Sequence, residues 1–329
     1  MLAKKRSLKL NGTEIERTPL LVPAFSSKGF PEVANILEYS SELITGPMLV
    51  SAYDLYYKKI APPFDFASLI FLDSGGYEAS RDLELPDLRE KKHVPAAWPL
   101  ESHKAVLETW RPLVPSVVTS YDHPNEPLLM EAQIKRARQM ATNRGDVLRE
   151  ILLKPETEDS KRVKTSSVIK HIHALANFDL IGITEKEIGS SLLERMKNIG
   201  LIRLALDRAG LNTPIHLFGN LDPFTTPMYF LLGADVFDGL SWLRFVFEEG
   251  RTLYKQNYWA TIALDTKLHV LDGICWNKNY RYLQTLQEQM RRFLGTRKFA
   301  EFGCIGPRLR EALETAMEEI GAENGTQSS

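Results

Sequence analysis

Cysteine, long apolar runs and net charge are all scarce in this 329-residue sequence. The two cysteines, Cys275 and Cys304, form no CxxC pair, which excludes a disulfide framework and a cysteine-rich zinc site. The longest apolar runs fall far short of the roughly 20 residues that span a bilayer, and no signal-peptide pattern follows the first residues. We therefore expect a cytoplasmic protein with no membrane partner.

The formal net charge is only −1 at pH 7. Any nucleic acid must therefore bind to a local patch of Lys and Arg rather than to the summed charge of the protein. The sequence also lacks GxxxxGK[ST] and GxGxxG loops, which disfavours nucleoside triphosphate chemistry and dinucleotide redox chemistry. No cofactor is expected.

The sequence does contain short apolar runs that alternate with helical stretches, which is the pattern of βα units in a parallel sheet. Eight runs are interpreted as strands, at residues 20–23, 43–50, 69–72, 116–120, 147–153, 178–183, 215–218 and 234–237. Because eight strands close a barrel, we expect an α/β protein with a (β/α)8 TIM-type fold. Periodicity predicts outer helices at 128–143 and 192–209, and two C-terminal helices at 279–293 and 307–320.

The expected organisation is a single barrel domain over residues 1–321, which includes the C-terminal helices, followed by a disordered tail at 322–329. The segment 85–100 mixes prolines with charges and shows no clear period. It is interpreted as a loop or short insertion that could border a substrate channel.

Three carboxylates directly follow strand-like runs: Asp73 in LIFLDSGGYE, Asp122 in VVTSYDHP and Asp238 in ADVFDGLSW. Active sites of such barrels assemble at the carboxyl ends of the strands, so these side chains are the candidates for chemistry. The two glycines after Asp73 allow a sharp turn and a close approach to a flat ligand.

Each of these carboxylates also has a structural interpretation. Asp73 could cap the turn that follows it, and Asp122 could cap a helix that begins near residue 125. Asp235 and Asp238 are three residues apart, so alternation along a strand would point them to opposite sides. Only one of the two should face the barrel mouth.

Histidine and aromatic residues near the same strand ends are less specific signals. His216 in HLFGN is interpreted as a structural residue, because buried histidines more often serve packing or hydrogen bonding than catalysis. Tyr77 and Phe218 could sandwich a nucleobase, although each taken singly fits core or rim packing better.

Taken in order, seven segments resemble the queuine/archaeosine tRNA-guanine transglycosylase superfamily over nearly the whole chain. They are ERTPLLVPAFSSKG, SAYDLYYKK, LDSGGYE, TSYDHP, FDLIGITEKEIG, IHLFGNLDP and GADVFDGLSWLR. The specific parts are DSGGY, which matches the superfamily's DSGG turn with one catalytic Asp, and GADVFD, which matches its later G-x-D-x-F-D segment with the nucleophile.

The resemblance implies an enzyme that exchanges one base for another. It makes Asp238 the nucleophile that attacks the anomeric carbon and Asp73 the residue that moves protons to and from the exchanging base. It also implies that Asp122 binds the hydrogen-bonding edge of that base. The further base-binding residues that it implies are Ser74, Gly75, Tyr77, Phe218 and Gly219.

Two basic residues are candidates for contacts with a nucleic acid. Arg244 falls where the family places an arginine near the nucleophile. Lys28 lies on a flanking segment from which it could grip a phosphate, although a solvated surface charge explains each residue at least as well.

The sequence departs from the family in two places. No CxCxxC…H motif follows the nucleophile segment, so no structural zinc is expected. The segment GITEKEIGSS corresponds to the family's base-binding loop, in which Glu185, Lys186 and Glu187 are unexpected for that family. Loss of the zinc subdomain resembles the divergent branch that inserts deazaguanines, such as 7-cyano-7-deazaguanine, into DNA. The expected partners are therefore DNA, or tRNA, and a 7-deazaguanine base.

Two other functions stay open at this point. A noncatalytic barrel could bind nucleic acid or a partner subunit, although the presence of Asp73, Asp122 and Asp238 together argues against it. An unrelated barrel hydrolase could use two carboxylates and let water resolve the intermediate. The sequence is also compatible with a homodimer and with an accessory protein from a modification system.

Overall fold

Twelve short strands are present in the residues that the computed structural model describes, which are 1–81, 93–122, 126–140, 144–262 and 265–326. They are β1 (Ser7–Leu10), β2 (Thr13–Arg17), β3 (Leu20–Pro23), β4 (Met48–Ser51), β5 (Ile70–Asp73), β6 (Ser116–Thr119), β7 (Leu148–Leu153), β8 (Leu180–Thr184), β9 (Ile215–Phe218), β10 (Val236–Gly239), β11 (Phe245–Glu248) and β12 (Arg251–Tyr254). Strands β1 with β2 and β11 with β12 form antiparallel hairpins.

The other eight strands form a parallel sheet that closes on itself. Neighbouring strands follow the order β3, β10, β9, β8, β7, β6, β5, β4, and a parallel bridge between Ala24 and Leu49 joins the two ends. The predicted (β/α)8 TIM-type fold is therefore confirmed. Two strands match the prediction residue for residue, whereas the run at 43–50 was predicted too long, because Gly46-Pro47 precedes the extended backbone of β4.

Thirteen α-helices are present in the same described ranges. They are α1 (Val33–Ser41), α2 (Ala52–Tyr56), α3 (Gly76–Ala79), α4 (Leu100–Thr109), α5 (Met130–Met140), α6 (Thr165–Lys170), α7 (Ile172–Leu175), α8 (Leu192–Arg208), α9 (Thr225–Leu231), α10 (Ser241–Arg244), α11 (Lys255–Ile262), α12 (Leu268–Thr296) and α13 (Gly306–Thr326). None of these helices is long and apolar enough to cross a bilayer.

The C-terminal helices are longer than the periodicity predicted. Helix α12 begins at Leu268 rather than at residue 279, because Leu271 and Cys275 are buried against Val246 and Trp259. Helix α13 continues to Thr326, so the predicted disordered tail is wrong for residues 322–326. Ala322 and Glu323 are good helix formers, so the first part of this extension costs little once the helix has been nucleated. Residues 327–329 and most of the predicted insertion at 85–100 lie outside the described residues.

Alternation along the strands decides which side chains enter the barrel. On β10, Val236 packs in the interior cluster and Phe237 in the outer core beneath the helices, so Asp238 shares the inward side with Val236. On β5, Phe71 is an interior residue, and Asp73 follows two positions later. Both carboxylates therefore lie at the C-terminal end of the lumen, where barrel enzymes bind their substrates.

The opposite end of β10 is fixed by a buried ion-pair network. Asp235 Oδ1 lies 2.7 Å from Arg6 Nη1, and Asp235 Oδ2 lies 2.7 Å from Arg203 Nη2, with all three side chains buried. The backbone N–H of Ile215 also donates to Asp235 at 2.9 Å. Asp235 thus ties the chain before β3, helix α8 and strand β9 together, and the sequence prediction that only one of Asp235 and Asp238 faces the mouth is supported.

Removing Asp235 should destabilise the fold strongly. We expect Asp235→Ala to lower the free energy of unfolding by about 3–5 kcal/mol, because two buried guanidinium groups lose the carboxylate that pairs with each of them at 2.7 Å. The matched control is Asp146→Ala, whose exposed pair with Arg144 should contribute at most about 1 kcal/mol. Urea unfolding followed by circular dichroism gives both values, and equal losses would contradict the role assigned to Asp235.

Candidate active site

Two glycines shape the turn that follows β5. Gly75 has a φ of +87°, and a Cβ there would lie 2.8 Å from both Trp98 Nε1 and Tyr53 Cβ. A Cβ on Gly76 would lie 2.5 Å from both carboxylate oxygens of Asp122. Since such distances are well inside van der Waals contact, only glycine lets this turn pass so close to Asp122. The DSGG motif is therefore what brings Asp73 and Asp122 to one place.

The Asp73 side chain is buried at the barrel mouth, and its pKa lies close to neutral pH. Burial is the largest cause that raises the pKa of Asp73, the carboxylates of Asp122 and Asp238 raise it further, and the resulting pKa is about 7. Asp73 also reaches its own turn, since its Oδ2 lies 3.4 Å from the Gly75 N–H. At neutral pH, Asp73 can therefore both give up and accept a proton.

Asp122 lies in a buried polar cluster beside Asp73. Its Oδ1 accepts a hydrogen bond from Ser74 Oγ, and its Oδ2 faces Lys154 Nζ at 3.6 Å. Lys154 also pairs with Glu187 at 2.8 Å. The first helix after Asp122 begins only at Met130, so the helix-capping interpretation of Asp122 does not apply to the described residues.

The loop residues that the family resemblance leaves unexplained take part in this cluster. Glu187, in a short 3-10 turn at Glu185–Glu187, is the acidic partner of Lys154. Its other oxygen, Oε2, is buried and has no hydrogen-bond partner among the described residues. Glu185 instead accepts a hydrogen bond from Tyr229 at 2.6 Å and pairs with Arg195. The site thus has a buried acceptor without a donor, close to Asp122.

A second layer of acidic residues, which the sequence did not suggest, lies beneath Asp73. Glu78 accepts hydrogen bonds from Ser26 Oγ and from Ser51 Oγ, the latter at 2.7 Å. Burial, Asp54 and Asp73 together raise the pKa of Glu78 to about 8. The pKa of Asp54 is also raised by burial. Burial thus makes the ionisation of both carboxyl groups less favourable than it is in water.

Asp238 faces the lumen from β10 and contacts the neighbouring strand. Its Oδ1 accepts the backbone N–H of Gly219 at 3.1 Å and lies 3.3 Å from His216 Nε2. Gly219 has a φ of +75°, which turns this N–H towards the carboxylate and favours glycine. His216 Nδ1 in turn lies 2.8 Å from Glu150 Oε1 on β7. The structure thus aligns a glutamate, a histidine and the predicted nucleophile.

His216 was interpreted as a structural residue, and its contact with Asp238 is what the sequence reasoning missed. Burial alone would lower the pKa of His216, but Glu150 and Asp238 outweigh it and raise the pKa to about 9. The predicted pocket residue Phe218 stacks on the His216 ring with centroids 3.9 Å apart. Gly182 makes room for this stack, because a Cβ there would lie 2.5 Å from Phe218 Cε2.

The aromatic and basic residues predicted at the rim are brought together around α3. The Lys28 ammonium lies 4.4 Å from the centre of the Tyr77 ring, and Arg244 donates to Tyr77 Oη at 3.4 Å. Arg244 is half-buried, and its guanidinium lies over the Phe30 ring. Tyr77 and Arg244 therefore form one wall of the mouth, and their predicted contacts with base and nucleic acid stay predictions.

Lys28 does not have the exposure that its predicted role requires. The residue is buried, and its ammonium donates to the carbonyl oxygens of Tyr77 and Ser80 and to Ser80 Oγ, at 2.7–3.1 Å. The assignment of Lys28 to phosphate binding is therefore corrected. Its ammonium ties the end of α3 to the segment after β3, which supports the DSGG turn from outside.

A cavity of about 810 Å³ opens at the other end of the barrel. Its basic lining residues are Lys4, Lys5, Arg17, Arg291 and Arg297. It lies beside the chain that enters β3 from its N-terminal side, whereas Asp73, Asp122 and Asp238 are at C-terminal strand ends. We therefore place the candidate active site at the mouth that holds the carboxylates.

No protein-family model matches the chain, and no curated protein matches it either. The transglycosylase resemblance therefore rests on the motifs and on the arrangement of the residues that they contain. Within the described ranges, no group of three His, Cys, Asp or Glu side chains is arranged to hold a metal ion.

The raised pKa of Asp73 has a consequence for stability that can be measured. The folded state binds a proton on Asp73 up to about pH 7, whereas the unfolded chain releases it near pH 4, so this group destabilises the fold as the pH rises between these values. Asp73→Asn removes the charge and keeps the shape. We expect it to be more stable than wild type by at most about 4 kcal/mol at pH 8, and nearly equal in stability at pH 4.

Chemical unfolding at several pH values measures this difference. Asp159→Asn, which makes the same substitution on an exposed loop, should show no such dependence on pH. A difference between Asp73→Asn and wild type that stays constant from pH 4 to pH 8 would show that Asp73 is ionised normally.

Proposed function

We propose that the protein exchanges guanine in a polynucleotide, with DNA as the first substrate to test, for a 7-deazaguanine such as 7-cyano-7-deazaguanine. One observation carries the proposal: two carboxylates in one barrel mouth have different electrostatic surroundings. Asp73 has a pKa of about 7, while Asp238 faces a histidine whose pKa is raised to about 9. Surroundings that differ in this way assign the acid/base role to one carboxylate and the nucleophile role to the other.

In the first half of the reaction, a carboxylate oxygen of Asp238 attacks C1′ of the sugar. The bond from C1′ to the purine nitrogen breaks, and its electron pair leaves with the guanine, which takes a proton from the acid form of Asp73. The product is a glycosyl ester on Asp238 and an ionised Asp73. The strand is not cut, because no phosphodiester bond takes part.

In the second half, the ionised Asp73 takes a proton from the incoming base. The nitrogen that has lost this proton attacks C1′, and the ester bond breaks with its electron pair returning to Asp238. Both carboxylates are then in their starting states. A pKa of about 7 for Asp73 suits this cycle, since the same group must be an acid in one half and a base in the other.

The polar cluster around Asp122 supports a guanine-like base as the ligand. The edge of such a base carries N–H donors, which need acceptors in the pocket. Asp122 and the unpartnered Glu187 Oε2 are buried acceptors on neighbouring parts of the mouth. Tyr77 is a half-buried aromatic residue at the same mouth, and a flipped base can stack on such a ring. A duplex substrate must extrude its nucleotide to reach this depth.

The test is incorporation of radiolabelled guanine by the purified protein into duplex DNA and, separately, into unmodified tRNA. We expect label in DNA, and a loss of at least about 1,000-fold in Asp238→Ala and in Asp73→Asn, because each removes a group that the cycle requires. Asp159→Asn is the matched control and should keep the wild-type rate.

The alternatives give different outcomes in the same assay. Label in tRNA alone would replace DNA with tRNA as the substrate. Release of free guanine without incorporation would indicate a hydrolase, in which water resolves the ester. Neither incorporation nor release, from either substrate and with the folded protein, would overturn the proposal in favour of a noncatalytic barrel.

A further inference from the structure

The alignment of Glu150, His216 and Asp238 goes beyond what the base-exchange cycle has used so far. His216 is buried completely on β9, with Nδ1 2.8 Å from Glu150 Oε1 and Nε2 3.3 Å from Asp238 Oδ1. The ring cannot move freely, because it stacks on Phe218 and contacts the edge of Phe71, with centroids 5.3 Å apart. Its Nδ1 is therefore hydrogen-bonded to Glu150, while its Nε2 lies at ion-pair distance from Asp238 without the alignment of a hydrogen bond.

A neutral imidazole cannot satisfy both of these contacts. It carries one N–H and one lone pair, so one of the two carboxylates would face a lone pair. Both carboxylates also accept hydrogen bonds from other donors, since Thr119 Oγ1 donates to Glu150 Oε2 at 2.9 Å and Gly219 N–H donates to Asp238 Oδ1 at 3.1 Å. An imidazolium, with two N–H groups, is the form that fits this site.

The surroundings of His216 agree with a positive charge on the ring. Among the described residues, the charged groups that face it are Glu150 on β7 and Asp238 on β10. The other strands around the ring present Phe71 on β5 and Gly182 on β8, which carry no charge. Burial lowers the pKa of His216, but the two carboxylates raise it to about 9.

We propose that His216, held by Glu150, is a positioning residue that places a positive charge beside Asp238 and keeps this carboxylate turned for attack. His216 and Gly219 each contact Oδ1 of Asp238, whereas within the described residues no hydrogen bond reaches Oδ2 of Asp238. Oδ2 is therefore the oxygen that forms the ester with C1′. The catalytic part of this inference rests on the proposed base exchange, whereas the charge of His216 does not.

The charge of His216 is measured first, by ¹⁵N NMR of the histidine side chains in the full-length protein. The expected result is a cationic His216 at pH 7 that titrates near pH 9, with a midpoint lower by at least about 1 pH unit in Glu150→Gln and in Asp238→Asn. The His216 signal is assigned by its loss in His216→Gln, or by single replacement of the other six histidines. A neutral His216 at pH 7 in the wild-type protein would overturn the proposal.

The kinetic consequence is measured in the base-exchange assay. We expect His216→Gln to lower kcat by about 100-fold with KM changed by less than about threefold, and to move the acid limb of the pH profile to higher pH. Glu150→Gln should act in the same direction, and Glu150→Asp, which keeps the charge, should retain more of the rate. His173→Gln, the same substitution on an exposed histidine, should behave like wild type.

A structural role for His216 would give a different pattern. In that case His216→Gln would lower the stability and the yield of active enzyme but leave the shape of the pH profile unchanged. That result would contradict the positioning role. If the wild-type protein exchanges no base, the proposed function fails, while the NMR titration still decides whether His216 carries the charge that the inference requires.

Discussion

Burial of carboxylates at the mouth of a single barrel is the constraint on which the rest of this site depends. An ionised carboxylate loses several kcal/mol of solvation when it is buried, so it must be protonated or paired. The protein uses both solutions. On the β4 and β5 side, the pKa values of three acids are raised: Asp54, Asp73 and Glu78. Elsewhere in the mouth, His216 stands between Glu150 and Asp238, and Lys154 faces Asp122, which lies beside Asp73.

The barrel backbone makes this division feasible because it fixes which side chains enter the lumen. Alternation along β5 and β10 places Asp73 and Asp238 on the inward side, two residues beyond buried apolar neighbours. Glycines then remove the atoms that would prevent close approach. Without Gly76 the turn could not pass next to Asp122, and without Gly182 the Phe218 ring could not lie flat on His216. The electrostatic arrangement therefore follows from the alternation of side chains along the strands and from glycine at a few positions.

The sequence predicted the barrel and its two principal carboxylates because both are local signals. Strands appear as apolar runs, and Asp73 and Asp238 lie in short motifs that also carry the family resemblance. The contacts of His216 could not be predicted in this way, because they involve Glu150, 66 positions away along the chain, in a register that only the closed sheet defines. Lys28 was misassigned for a related reason. Nothing local shows that its ammonium turns inward to the carbonyl oxygens after β5.

Asp235 and Asp238, at the two ends of β10, differ in how fully their carboxylates are paired within the fold. At its N-terminal end, Asp235 is paired at 2.7 Å with each of two buried arginines, so its charge is compensated within the fold. Three residues later, Asp238 has one backbone donor and a histidine that it shares with Glu150. A carboxylate paired as fully as Asp235 would be a poor nucleophile, since its lone pairs would all be occupied. The lighter pairing of Asp238 leaves one carboxylate oxygen without a hydrogen bond from the described residues, which the proposed base exchange requires of its nucleophile.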